Sequence, residues 1–163
     1  MQKVPITAYG HRRLQQQLHR LKTLDRPRII SAIAEARAHG DISENAEYEA
    51  AREEQAFAEA KINEIESLLA RAEVIDPAAI RSEIAVFGCT VQLLNTATDE
   101  PAVYSVVGDP EAVPEKGLIG LSTPIARAIL GREVGDEIRV RAPGGDLEYE
   151  ITEIRYAEIR FED

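Results

Sequence analysis

Asp41 and Glu44 stand three residues apart in the run Gly40-Asp41-Ile42-Ser43-Glu44-Asn45-Ala46-Glu47-Tyr48. That spacing supports two kinds of chemistry. One is structural. Asp-x-x-Glu is a capping box, in which the first carboxylate accepts from a backbone amide at a helix start and the second reaches back. Ser43 competes for the same cap. The other is catalytic. Paired carboxylates are hard oxygen ligands, and they suit Mg²⁺, an ion that keeps several waters and rarely takes an all-protein cage. Two carboxylates alone hold Mg²⁺ weakly. They become useful where another protein already binds one metal: there they help retain a second ion and orient a water for in-line attack on a phosphodiester. A cap can also be a ligand, so both roles stand open.

The elements that must carry this pair follow from the hydrophobic period, which changes near Asp76-Pro77. Before that point the spacing is helical. Leu14, Leu18 and Leu21 step by four and three, and Ile29, Ile33 and Ala36 repeat the step. Ala51, Gln55, Ala58, Ile62, Ile65, Leu69 and Ala72 then alternate four and three, the seam of a coiled coil. The break between them is His39-Gly40-Asp41-Ile42-Ser43, with Gly40 as the helix stop. An antiparallel helical hairpin over residues 1–76 is predicted, its acidic turn at 40–45. The second helix is expected from about Glu44 to about Glu73, roughly 45 Å long at 1.5 Å per residue. Pro27 lacks an amide hydrogen and predicts a kink or short break near Asp25-Arg26-Pro27. Ala34, Ala36, Ala38, Ala46, Ala50 and Ala51 replace the larger seam residues towards the turn, which predicts a slender end suited to a channel; alanine's helix propensity explains the same composition.

After Pro77 the period becomes two. Strands are expected at Ala85–Leu94, Ala102–Val107, Leu118–Leu121, Glu137–Arg141 and Leu147–Arg155, with turn signals between them, among them Pro143-Gly144-Gly145. One helix interrupts, Pro124–Leu130, with Ser122 or Thr123 as N-cap and Gly131 as the stop. Residues 77–163 therefore read as a small α+β domain with a mostly antiparallel sheet and one helix.

Composition narrows the function classes. The formal net charge is -10, and the globular half carries most of it, with 8 basic against 16 acidic residues. Such a chain is repelled by nucleic acid as a whole, because phosphate attraction needs clustered Lys and Arg. Work near RNA requires a protein partner to hold it there. Aromatics are only 5% and Trp is absent, which disfavours an aromatic-lined pocket. The single cysteine, Cys89, excludes an intrachain disulfide and a cysteine-based zinc site; it lies in an apolar run and reads as an inert buried thiol. No apolar run is long enough to span a membrane, and the start shows no secretion signal, which predicts a cytoplasmic protein.

The run from Ile29 to Tyr48, Ile29-Ile30-Ser31-Ala32-Ile33-Ala34-Glu35-Ala36-Arg37-Ala38-His39-Gly40-Asp41-Ile42-Ser43-Glu44-Asn45-Ala46-Glu47-Tyr48, closely resembles the Gre transcript cleavage factors. Leu121-Ser122-Thr123-Pro124-Ile125-Ala126-Arg127-Ala128 and Val134-Gly135-Asp136 resemble that family's second signature, and Phe87-Gly88 and Pro143-Gly144-Gly145 fall where the family has them. The match runs in order along essentially the whole chain. Ala50-Ala51-Arg52-Glu53-Glu54-Gln55 stands where one branch of the family is more basic. Thr123 and Gln17 depart from residues common in the family, Ser and Glu respectively, and neither touches the acidic turn.

The resemblance implies an FKBP-like C-terminal domain and a function. The hairpin would enter the secondary channel of bacterial RNA polymerase and stimulate cleavage of backtracked RNA by the polymerase itself. Asp41 and Glu44 would help hold a second catalytic Mg²⁺ jointly with polymerase, with none expected in the free protein. Arg37 and Arg52 would contact the RNA 3′ end. Ser122, Thr123, Pro124, Ile125 and Arg127 would dock on the channel rim. A monomer is expected when the protein is free. Other classes stay in view: an inhibitory relative using the same channel, a peptidyl-prolyl isomerase or chaperone, and a purely structural coiled-coil adaptor. The paired Asp41 and Glu44 speak against the first, the scarcity of aromatics against the second, and the turn sequence against the third.

Overall fold

In the computed structural model, residues 2–40 and 45–161 are described. The chain divides into two compact units. One is built mainly on Arg12–Ala72, and the other takes Lys3–His11 together with the chain from Glu73 onward.

The first unit is the helical hairpin. Helix α1 (Ala8–Arg20), a π-helical segment (Leu21–Asp25) and α2 (Arg26–Ala38) follow one another directly, and α3 (Ala46–Arg71) returns. No break occurs at Pro27. The Arg26 amide instead donates to the Leu21 carbonyl, five residues back. The turn is therefore widened just ahead of the proline, whose ring would otherwise clash with the carbonyl four residues before it. Helix α3 has 26 residues and so is about 39 Å long, shorter at both ends than expected.

Ile29, Ile33 and Ala36 of α2 are buried, as are Ala51, Ala58, Ile62 and Ile65 of α3. The four-and-three seam is thus the contact face. Of the alanines near the turn, only Ala36 and Ala51 lie in it. Ala34, Ala38, Ala46 and Ala50 are exposed, because a 3.6-residue period carries them off the buried stripe. Ion pairs record the antiparallel register: Lys22 with Glu66 at 2.8 Å, Arg26 with Glu59 at 2.8 Å, and Arg28 with Glu54. The Arg26 pair is two-pronged, Nε to Oε1 and Nη2 to Oε2. That hydrogen bond is the main reason Glu59 is held below the usual carboxylate range. All six side chains are substantially solvated, so their value is in register more than in stability.

The second unit is α+β. Strands β1 (Val4–Thr7) and β2 (Ala72–Ile75) form a two-stranded sheet. A five-stranded sheet follows, built from β3 (Thr90–Asn95), β4 (Pro101–Val107), β5 (Leu118–Gly120), β6 (Glu137–Ala142) and β7 (Gly145–Arg155), in spatial order β5-β4-β3-β7-β6. Only the β4–β5 pair is parallel. In β6 the side chains alternate: Ile138 and Val140 are buried, while Glu137, Arg139 and Arg141 are exposed. A register shift between Gln92 and Leu93 leaves Thr152 as the extra residue on β7. Helix α4 (Pro124–Ile129) contributes Ala126 and Ile129 to the core with Val91, Leu93, Val106, Ile119 and Ile151.

Five residues expected in the first strand of this sheet, 85–89, lie outside it. The Ala85 amide and carbonyl bond instead to Arg132 and Gly131, in the loop after α4. Tyr156 also reaches this segment, its hydroxyl accepting from the Val86 amide at 3.0 Å and donating to the Ile84 carbonyl at 2.5 Å. Cys89 is fully buried, and burial pushes its thiol up to about 12, which leaves it an inert core residue.

Candidate functional site

Asp41 and Glu44 lie outside the described residues, as does Ser43. What flanks them is defined in detail. Helix α2 ends at Ala38, and the His39 amide closes on the Ala36 carbonyl at 3.2 Å. Gly40 follows at φ +121°, a conformation that costs glycine nothing and an L side chain a good deal. On the far side α3 opens at Ala46, and its N-cap is Asn45, in extended conformation. Asn45 Oδ1 accepts from the amides of Glu47 at 3.0 Å and Tyr48 at 3.1 Å. The cap expected from Asp41 or Ser43 is therefore supplied by Asn45. The reason is local: the helix begins two residues later than the sequence pattern suggested, which puts Asn, an equally good cap, at the boundary.

The same side chain crosses the hairpin. Asn45 Nδ2 donates to the Ala36 carbonyl at 2.7 Å. Beside it, the Arg37 guanidinium of α2 sits over the Tyr48 ring of α3, 5.7 Å from its centroid. This is a cation–π contact between the two helices. Arg52 stands one turn beyond Tyr48 on α3, exposed, with its Nη1 donating to Gln55 Oε1 at 3.0 Å. Of the two arginines singled out by sequence, Arg37 is thus held by a partner helix and Arg52 only by its own. Asn45 and Tyr48 were not singled out. Their signal was present in Glu44-Asn45-Ala46-Glu47-Tyr48, but it reads as an ordinary helix start until the partner helix is known.

The second candidate surface is the start of α4. Thr123 is its N-cap: its Oγ1 accepts from the Ala126 amide at 3.3 Å and donates to the Gly120 carbonyl at 2.8 Å. Ser122 donates twice to Asp109 Oδ1, from its amide and its hydroxyl, both at 3.0 Å. Ser122, Pro124 and Arg127 are exposed, while Ile125 leans on the core. The five residues form one short turn of chain with a polar, solvated edge and an apolar inner side. Asp109 is the residue that organises it, and no spacing rule linked the two across thirteen positions.

Two residues beyond Asp109, Glu111 is buried. It accepts from the Thr7 amide, the Thr7 hydroxyl and the Gly108 amide. Thr7 Oγ1 in turn accepts from the Gly10 amide at 3.1 Å, capping α1. Burial pushes the Glu111 carboxyl above its usual range, against the pull of these donors. This is a structural anchor for the first turn of α1. Among the described residues, no group of three or more His, Cys, Asp and Glu side chains is arranged to hold a metal ion. Nor is any of the described helices long and apolar enough to cross a membrane.

Fold and sequence together define a two-part factor, one unit a helical hairpin and the other a small α+β unit, with Asp41 and Glu44 falling in sequence between α2 and α3. The comparisons give the family. A profile described as the N-terminal part of transcription elongation factors, GreA_GreB_N, matches residues 4–74, and one described as the GreA/GreB C-terminal part matches residues 81–156. Transcription elongation factor GreA of Alkalilimnicola ehrlichii is 53% identical over 158 residues, covering 96% of this chain and 100% of its own. The GreA of Halorhodospira halophila is 54% identical over 157 residues, covering 96% and 99%. The crystal structure of GreA factor homolog 1 (Gfh1) of Thermus thermophilus is 28% identical, covers 94% of this chain and 99% of its own, and has a TM-score of 0.44. The chain belongs to the GreA/GreB family of transcription elongation factors.

Proposed function

We propose that this elongation factor inserts its hairpin into the secondary channel of bacterial RNA polymerase and stimulates hydrolysis of backtracked RNA there. The polymerase remains the enzyme; the factor lends it side chains. Asp41 and Glu44 would hold a share of a Mg²⁺ ion whose other ligands belong to polymerase. When bound, that ion supplies a water activated for attack on the RNA phosphodiester. Arg37 and Arg52, on facing helices near the turn, offer positive charge to the RNA 3′ end against the chain's overall acidity. The turn from Ser122 to Arg127 offers the polar edge for docking at the channel rim. A cytoplasmic monomer fits a chain of this kind.

One observation carries the assignment of the acidic pair. The amides at the start of α3 are already satisfied by Asn45. Helix capping, the commonest reason for Asp and Glu at such a place, is done by another residue. The hairpin supplies reach, since α3, at 26 residues, is about 39 Å long.

The test is the pair Asp41→Asn and Glu44→Gln in one chain, mixed with stalled, backtracked elongation complexes. Release of short 3′ RNA fragments should be lost at moderate Mg²⁺, while competition for polymerase stays at the wild-type level. Normal fragment release by this variant would remove the metal role.

A further inference from the structure

We propose that Asn45 is a positioning residue for transcript cleavage: its single amide group ties the end of α2 to the start of α3 and so sets the span from which the acidic pair is presented. The inference rests on the metal role proposed above for Asp41 and Glu44.

A helix leaves its last carbonyls and first amides without intrahelical partners. At this turn such groups lie a few residues apart, and the Ala36 carbonyl, already accepting from the His39 amide, takes Asn45 as a second donor. The Ala36 carbonyl belongs to the last turn of α2, and the Glu47 and Tyr48 amides to the first turn of α3. Asn45 serves both, accepting from the two amides through Oδ1 and donating to the carbonyl through Nδ2. Among good N-cap residues, only asparagine can do this. Aspartate has no donor on its side chain, and serine is too short to span to the opposite helix while capping its own. Capping alone would accept Asp, Ser or Asn alike. The cross-hairpin bond singles out Asn.

The bond closes a connection whose ends lie nine residues apart in sequence. Closing such a span costs chain entropy, and a directed bond at its mouth helps to offset that cost. The Arg37–Tyr48 contact joins the same two helices at the same end. Metal ligands act productively from one geometry, and misplacement by about 1 Å costs on the order of 100-fold in rate.

The experiment compares Asn45→Ser and Asn45→Asp with wild type in full-length protein. Three quantities are read: thermal unfolding, competition for polymerase, and RNA cleavage across a Mg²⁺ titration. Both substitutions keep a cap and give up one part-buried hydrogen bond, so unfolding should shift only slightly and competition should stay unchanged. Cleavage should fall by about tenfold or more at limiting Mg²⁺, with the half-maximal Mg²⁺ concentration displaced upward. Should Asn45→Ser fail to fold, Asn45→Asp decides by the same criteria. Wild-type cleavage with an unmoved Mg²⁺ midpoint overturns the proposal. So does a loss of cleavage matched by an equal loss of competition, which marks a merely structural role. The Asp41→Asn, Glu44→Gln chain runs alongside. If it is inactive while Asn45→Ser is normal, Asn45 alone is misassigned; if it cleaves normally, the metal role and this inference fall together.

Discussion

Glu111 occupies the space that a side chain at residue 10 would need. A β-carbon built on Gly10 would lie 1.9 Å from Glu111 Oε1. Ordinarily a glutamate could swing aside. Here the carboxylate is held by Thr7 and Gly108, and the Thr7 hydroxyl also caps Gly10's own amide. Gly10→Ala should therefore destabilise the protein, although alanine favours a helix interior by about 0.5–1 kcal/mol over glycine. Breaking a buried, multiply bonded carboxylate costs about 1–3 kcal/mol, and that term wins. Chemical denaturation of the variant beside wild type measures the difference; a more stable Gly10→Ala would show that Glu111 moves freely.

The buried carboxylate also sets a pH dependence. Burial raises the Glu111 pKa in the folded state above its unfolded value. In the window between those values the folded chain holds a proton that the unfolded chain has released. Stability from this group is thus complete below the unfolded pKa and is lost as pH rises through the folded one. Glu111→Gln removes the titration. Relative to that variant, wild type should lose stability as pH rises from below the ordinary glutamate range through the raised folded-state value. A gap that is flat with pH, or that widens as pH rises, would contradict the proton linkage.

Asp109 should matter to docking more than to folding. Its Oδ1 takes both donors of Ser122 at the start of α4, on an exposed surface. Asp109→Ala frees that turn, and competition for polymerase should weaken by about two- to tenfold, the worth of one or two such bonds. Asp109→Asn retains the accepting oxygen and should restore most of the affinity. The melting temperature should move little in either. Undiminished competition by the alanine variant would separate this turn from docking.

Much of the architecture was legible because apolar spacing reports burial directly. The four-and-three seam from Ala51 to Leu69, the change of period near Pro77 and the alternation of Glu137–Arg141 each emerged as the elements they implied, whereas Ala72, read as the end of the seam, opens β2. The misplacements share one cause. Residues 85–89 are as apolar as a strand, yet Ala85 pairs with the loop after α4. Pro27 reads as a helix breaker, yet a widened turn ahead of it absorbs the defect. Asp41 and Ser43 read as caps, yet α3 starts later, on Asn45. In each case local propensity offered several solutions and a particular hydrogen-bond partner, whether the loop after α4 or the Leu21 carbonyl five residues back, selected one.

Sequence by itself determined the parts: a hairpin arm with an acidic turn, a mainly antiparallel sheet unit, an inert cysteine, and membership of a family whose motifs run the length of the chain. Those properties depend on residue type and near-neighbour period, which one dimension records. Tertiary structure alone decided the partners. Asn45 meets Ala36, Arg37 meets Tyr48, Asp109 meets Ser122, and Glu111 closes over Gly10. A directed hydrogen bond or a ring contact forms only within a few ångströms, and that proximity is created by the folding of segments up to a hundred residues apart.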